Sequence, residues 1–163
     1  MRNHTEIANI HIGLEQEVRR SVAEMLNALV ADEMLLFIKT KNFHWNVTSP
    51  HFREYHALFD EQAAEITGII DDAAERVRSL DEHSTGTMKE YLSLTRLEED
   101  QGYGMSGESM VMALLHDHEV IIRQLRQDLQ KCGELGDEGN MDFLTALMEM
   151  HEKMAWMLRA TLG

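Results

Sequence analysis

The sequence predicts an all-α protein, a four-helix bundle with one long crossover between its second and third helices. Three observations predict it. Apolar residues recur at helical spacing in four long stretches, and no stretch alternates as a strand would. Pro50 is the only proline in 163 residues, so long helices can run without interruption. About 27 residues, from Asp81 to Gly107, separate the second stretch from the third, and they are rich in glycine, serine and threonine.

The first helix carries Val22, Met25, Leu29, Leu36 and Phe37 and runs on towards Trp45. The second has a strong start signal, with Ser49 as N-cap and Pro50 at the first helical position. It continues through Phe52, Phe59, Ala63, Ile66 and Ile70 to about Leu80. The connection between these two is short, so they are expected to be antiparallel. Met88 to Leu94 is a candidate short helix inside the crossover. The third long helix shows Val111, Leu114, Leu115, His118, Ile121, Ile122, Leu125 and Leu129, with Gly133 expected just past its end. The fourth starts near Asn140 and reads Phe143, Leu147, Met150, Met154 and Met157, in steps of four, three, four and three. A crossover of this length can run along the bundle and make the middle helices parallel, the topology of ferritin-like bundles. One domain is expected over 1–163, with a short polar tail over about 1–15 and no internal repeat.

Composition narrows the function classes. Hydrophobic residues make up 44% and charged residues 27%, the balance of a globular domain with a real core. No apolar run is long enough to cross a bilayer, and the first twenty residues lack a signal-peptide pattern. The single cysteine, Cys132, suits a reducing compartment, so a bacterial cytoplasm is the expected location. The net charge of −14, from 29 acidic and 15 basic residues, favours cations as partners and disfavours phosphate backbones. Only Arg2, Arg19 and Arg20 occur in the first twenty residues, and the chain ends at Leu162-Gly163 without a basic extension. DNA binding is therefore not expected.

The chemistry concentrates between Lys39 and Leu80, which hold His44, His56, Asp60, Asp71 and Glu75. Imidazole with carboxylate suits iron, zinc or manganese, and the lack of cysteine partners argues against structural zinc. His56 and Asp60 are four apart, as are Asp71 and Glu75, so each pair shares a helix face. Asp60 and Asp71 are eleven apart, about three turns, which puts both pairs on roughly the same side. Along one straight helix, however, His56 and Asp71 sit roughly 22 Å apart. One metal cannot bridge that gap. Two copies of the helix packed antiparallel about a twofold axis near residue 65 would close it. The His56/Asp60 end of one chain would then face the Asp71/Glu75 end of the other, with His44 completing the histidine side. Taken singly and by spacing alone, each carboxylate reads better as part of a solvated helix face and each histidine as structural.

The set as a whole resembles a known family. The segment from Lys39 to Leu80 is similar to the signature region of the Dps mini-ferritins: FHWNV, a Pro-His-Phe, then H-x₃-D followed eleven residues later by D-x₃-E. The last residues, MDFLTALMEMHEKMAWMLRATL, resemble that family's final helix. The resemblance implies a di-iron ferroxidase centre with His44, His56 and Asp60 from one subunit and Asp71 and Glu75 from its twofold mate. It also implies a homododecameric shell with a mineral cavity, and hydrogen peroxide as preferred oxidant of Fe(II). Trp45, next to His44, is implied to lie near the metal as a possible electron donor, although an aromatic at an interface reads equally well. Acidic pores for iron are implied at the start of the fourth helix, where Asp137, Glu138 and Asp142 fall; by themselves they read as charges complementing the helix dipole. His51 follows Pro50 and is not at a ligand position, His116 and His118 are expected to be structural or exposed, and His4 and His11 to lie in the tail.

Three rival functions remain to be weighed. A nucleoid protein that binds and compacts DNA is the alternative reading, and in this family it rests on a lysine-rich tail that the sequence lacks. A ferritin with its di-iron site inside one bundle calls for Glu-x-x-His motifs, and none occurs. A helical shell without redox chemistry is the third. No His-Glu-x-x-His occurs either, which disfavours a zinc peptidase.

Overall fold

The computed structural model describes residues 10–163; His4 and Arg2 of the expected tail lie outside the described residues. Its elements are α1 (Gln16–Asn46), α2 (Phe52–Ser79), α3 (Met88–Leu94), α4 (Gly107–Glu134) and α5 (Glu138–Leu162), with no strand among the described residues. α1 packs along α2 and α4 along α5, and α3 lies against α1. No described helix is long and apolar enough to cross a membrane.

The stripes read from the sequence meet in one core. Leu26, Leu29, Leu36 and Phe43 of α1 meet Phe59, Ile66 and Ile69 of α2, with Met110, Leu114, Ile121 and Leu125 of α4 behind them. Each of these fully buried side chains contributes roughly 1.5–3 kcal/mol relative to exposure. Gly107 opens α4 against Tyr55, where an added Cβ would lie 2.6 Å from the ring, so only glycine allows that close an approach.

The helix ends differ from the sequence reading for local reasons. α2 begins at Phe52, because Ser49 and Pro50 form a turn in which the Ser49 hydroxyl accepts from the His51 N–H. α4 runs past Gly133 to Glu134; the left-handed residue is Gly136, at φ +71°. The Gly136 N–H donates to the Gly133 carbonyl and the Asp137 N–H to that of Cys132, the paired bonds of a Schellman ending. α5 starts at Glu138, two residues before Asn140, with Asp137 as its N-cap. Asp81 plays the part of Gly136 at the end of α2, with φ +63°. The short helix falls where expected, held by a capping box between Thr87 and Glu90.

The crossover is pinned by a buried carboxylate. Asp32 accepts from the Thr95 hydroxyl and the Arg96 backbone N–H, and its other oxygen from Arg96 Nε at 2.7 Å. The same guanidinium reaches Gln124 and Asp128 on α4, so one arginine ties α1, crossover and α4 together.

Candidate metal centre

α1 and α2 form a tight hairpin, and its closed end brings His44 opposite His56. The two rings stack with centroids 3.7 Å apart. His44 Nδ1 lies 2.8 Å from the His56 carbonyl, and His56 Nδ1 lies 2.9 Å from the His44 carbonyl. A carbonyl can only accept, so each ring carries its proton on Nδ1 and leaves the Nε2 lone pair free. This is how metal-binding imidazoles are oriented by their outer partners. Phe52 extends the stack, 5.0 Å from His56.

Asp60 stands one turn beyond His56, its Oδ1 3.8 Å from His44 Nε2. The Lys41 ammonium donates to that oxygen at 2.8 Å, and this bond and charge hold the carboxyl below its usual range. Asp60 is therefore an ionised, solvent-facing carboxylate beside two imidazole lone pairs. Trp45 is 69% exposed, with Lys41 Nζ 5.8 Å from its ring centre.

Of the five residues singled out in the sequence, the single chain brings together His44, His56 and Asp60. Asp71 and Glu75 are both exposed, further along α2. Among the described residues of one chain, no three histidine, cysteine or carboxylate groups are arranged to hold a metal ion. Asp137 is buried, its Oδ1 accepting from the Asn140 N–H and its Oδ2 from the Asn140 side chain, whereas Asp142 and Glu138 are exposed. Cys132 is buried and its thiol is pushed up to about 11, chiefly by that burial, so it offers no thiolate.

The Lys41 ion pair was not anticipated from sequence, although the hairpin register contains it: if residue 44 faces 56, residue 41 lies near 60. The second feature missed is internal. His151 of α5 and His118 of α4 meet Glu33 of α1, all three without solvent exposure. His118 was expected to be structural or exposed; it is fully buried, while His116 is exposed.

Comparison with known proteins identifies the family and the fold. The sequence profile of the ferritin-like domain matches residues 23–163. A "DNA protection during starvation protein 2" of Bacillus anthracis is 38% identical over 90% of this chain and 99% of its own length. This chain belongs to the Dps family of ferritin-like proteins. An uncharacterised low temperature-induced protein of Nostoc is 46% identical, covering 93% of this chain and 85% of that one. The crystal structure of a Dps protein from Vibrio cholerae, described as a member of a superfamily of ferritin-like diiron-carboxylate proteins, superposes with TM-score 0.90. It is 30% identical, covering 96% of this chain and 98% of the other. The five helices, the crossover and the hairpin carrying His44 and His56 are thus those of a Dps fold.

Proposed function

We propose that this chain sequesters iron by oxidising Fe(II), at a centre shared between two subunits, and stores the ferric product in a homododecameric shell. The observation that carries the reading is the reciprocal pair of His44 and His56, which aims two imidazole lone pairs beside the ionised Asp60. Two copies of α2 packed antiparallel about an axis near residue 65 would set these three groups against Asp71 and Glu75 of the partner subunit. The exposure of Asp71 and Glu75 in the single chain leaves them available for that role. Imidazole suits Fe(II) and carboxylate accommodates Fe(III), so a mixed set serves both ends of the oxidation.

Iron is the substrate here, and hydrogen peroxide is its oxidant. Each of two Fe(II) gives one electron, the O–O bond breaks, and the oxygens leave as hydroxide or water. Taking both electrons together leaves little hydroxyl radical. Lys41 neutralises Asp60 until a cation arrives, and Trp45, next to His44 in the chain, would donate an electron to a stray oxidant. Asp142, exposed near the start of α5, would line an acidic pore in the shell, with Asp137 supporting that end as its cap. DNA is protected, on this reading, by removing iron and peroxide rather than by contact, in keeping with the net charge of −14.

The test is anaerobic Fe(II) loading followed by peroxide, for the wild type and Asp71→Asn. Rapid oxidation at two Fe(II) per peroxide, slowed at least about 100-fold in the variant, is expected, since even outer-shell changes cost 10–100-fold. Wild-type rates equal to protein-free buffer would sink the reading. A salt-resistant gel shift of DNA would favour the alternative instead.

A further inference from the structure

Three fully buried ionisable groups, Glu33, His151 and His118, stand apart from the metal centre. Glu33 Oε1 lies 2.8 Å from His151 Nε2, and His151 Nδ1 lies 2.9 Å from His118 Nδ1. The groups form a line across α1, α5 and α4, and each has zero solvent exposure. The Glu33–His151 contact is an ion-pair approach without hydrogen-bond geometry, and Glu33 Oε2 and His118 Nε2, at the two ends of the line, have no partner at all. Such groups are costly in a core, so the arrangement calls for a physical account.

A contact between two imidazole nitrogens at this distance holds one proton, because one nitrogen must donate and the other accept. If both rings were doubly protonated, two N–H groups would face each other and the contact would turn repulsive. Burial, and then the neighbouring His151, hold His118 well below the ordinary histidine range, so it stays neutral in the closed bundle. The surrounding charges are occupied elsewhere. Lys39 of α1 pairs with Asp117 of α4 at 2.6 Å, Glu119 of α4 with Arg159 of α5 at 2.8 Å, and Arg126 of α4 with Glu152 of α5. From α2 the nearby buried polar group is the uncharged Gln62, whose amide donates to the Met154 carbonyl.

We propose that Glu33, His151 and His118 form an acid-operated latch, which closes the α4–α5 hairpin onto α1 at neutral pH and releases it on acidification. The sign follows from linkage. The folded state excludes a proton that the opened state accepts on His118 near pH 6.5, the ordinary histidine value. Stability is therefore complete above about pH 6.5 and is lost progressively as pH falls below it. The latch stands independently of the iron reading, because the polar contacts that make it involve none of His44, His56 and Asp60.

The experiment compares urea unfolding of the intact protein between pH 7.5 and 4.5 for the wild type and His118→Asn, whose amide offers a non-titrating partner at the Nδ1 position. The expected result is that the wild-type unfolding constant rises more steeply below about pH 6.5, by up to about tenfold per pH unit relative to the variant. Equal slopes would overturn the latch. Hydrogen exchange of the wild type alone gives a second decision, should the variant not fold. Corrected for intrinsic rates, amides of α4 and α5 around 118 and 151 should lose protection at pH 5 while those of α2 keep it. Unchanged protection in α4 and α5 would equally refute the proposal.

Discussion

The molecule contains two sets of two histidines and a carboxylate, and they do opposite things. His44, His56 and Asp60 lie at the end of the α1–α2 hairpin, where the rings satisfy their Nδ1 protons on each other's backbone and keep Nε2 free. His118, His151 and Glu33 lie in the core, where the two rings share one hydrogen bond, the carboxylate closes on His151, and the end atoms face no partner. The first set is open to solvent on its carboxylate and can gain ligands; the second is closed. Residue type alone does not make a metal site. What distinguishes them is which nitrogen is left over, and whether anything from outside can reach it.

The sharpest way to break this comparison is to exchange the consequences of losing the carboxylate. Asp60→Leu should leave the unfolding midpoint close to that of the wild type, because Asp60 is exposed, while Fe(II) oxidation by peroxide falls at least about 100-fold. Glu33→Leu should do the reverse. It removes the carboxylate 2.8 Å from His151 Nε2 and should cost about 1–3 kcal/mol of stability, read by urea unfolding at neutral pH, with the oxidation rate per folded subunit preserved. A Glu33→Leu protein with wild-type stability would show that the buried line of groups does not hold the bundle closed.

The fold was legible because it depends on periodicity and on one connection length. The apolar stripes of α2 and α4 and the crossover from Asp81 to Gly107 suffice to choose the topology, and Thr87 with Glu90 marks the short helix. Helix ends were less legible. Gly133 and Gly136 are equally good stop signals by composition, and only the bonds back to Cys132 and Gly133 choose between them. That His44, His56 and Asp60 lie together was legible from spacing plus the hairpin. Lys41 was not, because an ion pair spanning nineteen residues needs the register of the hairpin as well as its existence. The core line of groups was hidden for a different reason. Glu33 and His151 sit at apolar-face positions of their helices, where a polar residue reads as an exception until its neighbours on other helices are known.

Lys41 gives the smallest and most diagnostic effect. Its ammonium occupies the Asp60 oxygen nearest His44, so a cation entering the half-site has to displace it. Lys41→Met removes that competitor, and Co(II) or Zn(II) at neutral pH should then bind roughly 2–5-fold more tightly, the ordinary worth of an exposed ion pair. The same change removes the main cause of the lowered Asp60 pKa, so the carboxyl returns towards its usual range. Protons then compete for it at higher pH. The acid limb of metal binding, followed by titration from pH 7 downward, should therefore move to higher pH in the variant, even though neutral-pH affinity improves. Opposite movements of the two quantities separate competition at Asp60 from general loosening of the hairpin, which would weaken binding at every pH. If both affinity and acid limb stay at wild-type values, Lys41 is a surface pair without influence on the metal, and the half-site is set by His44, His56 and Asp60 alone.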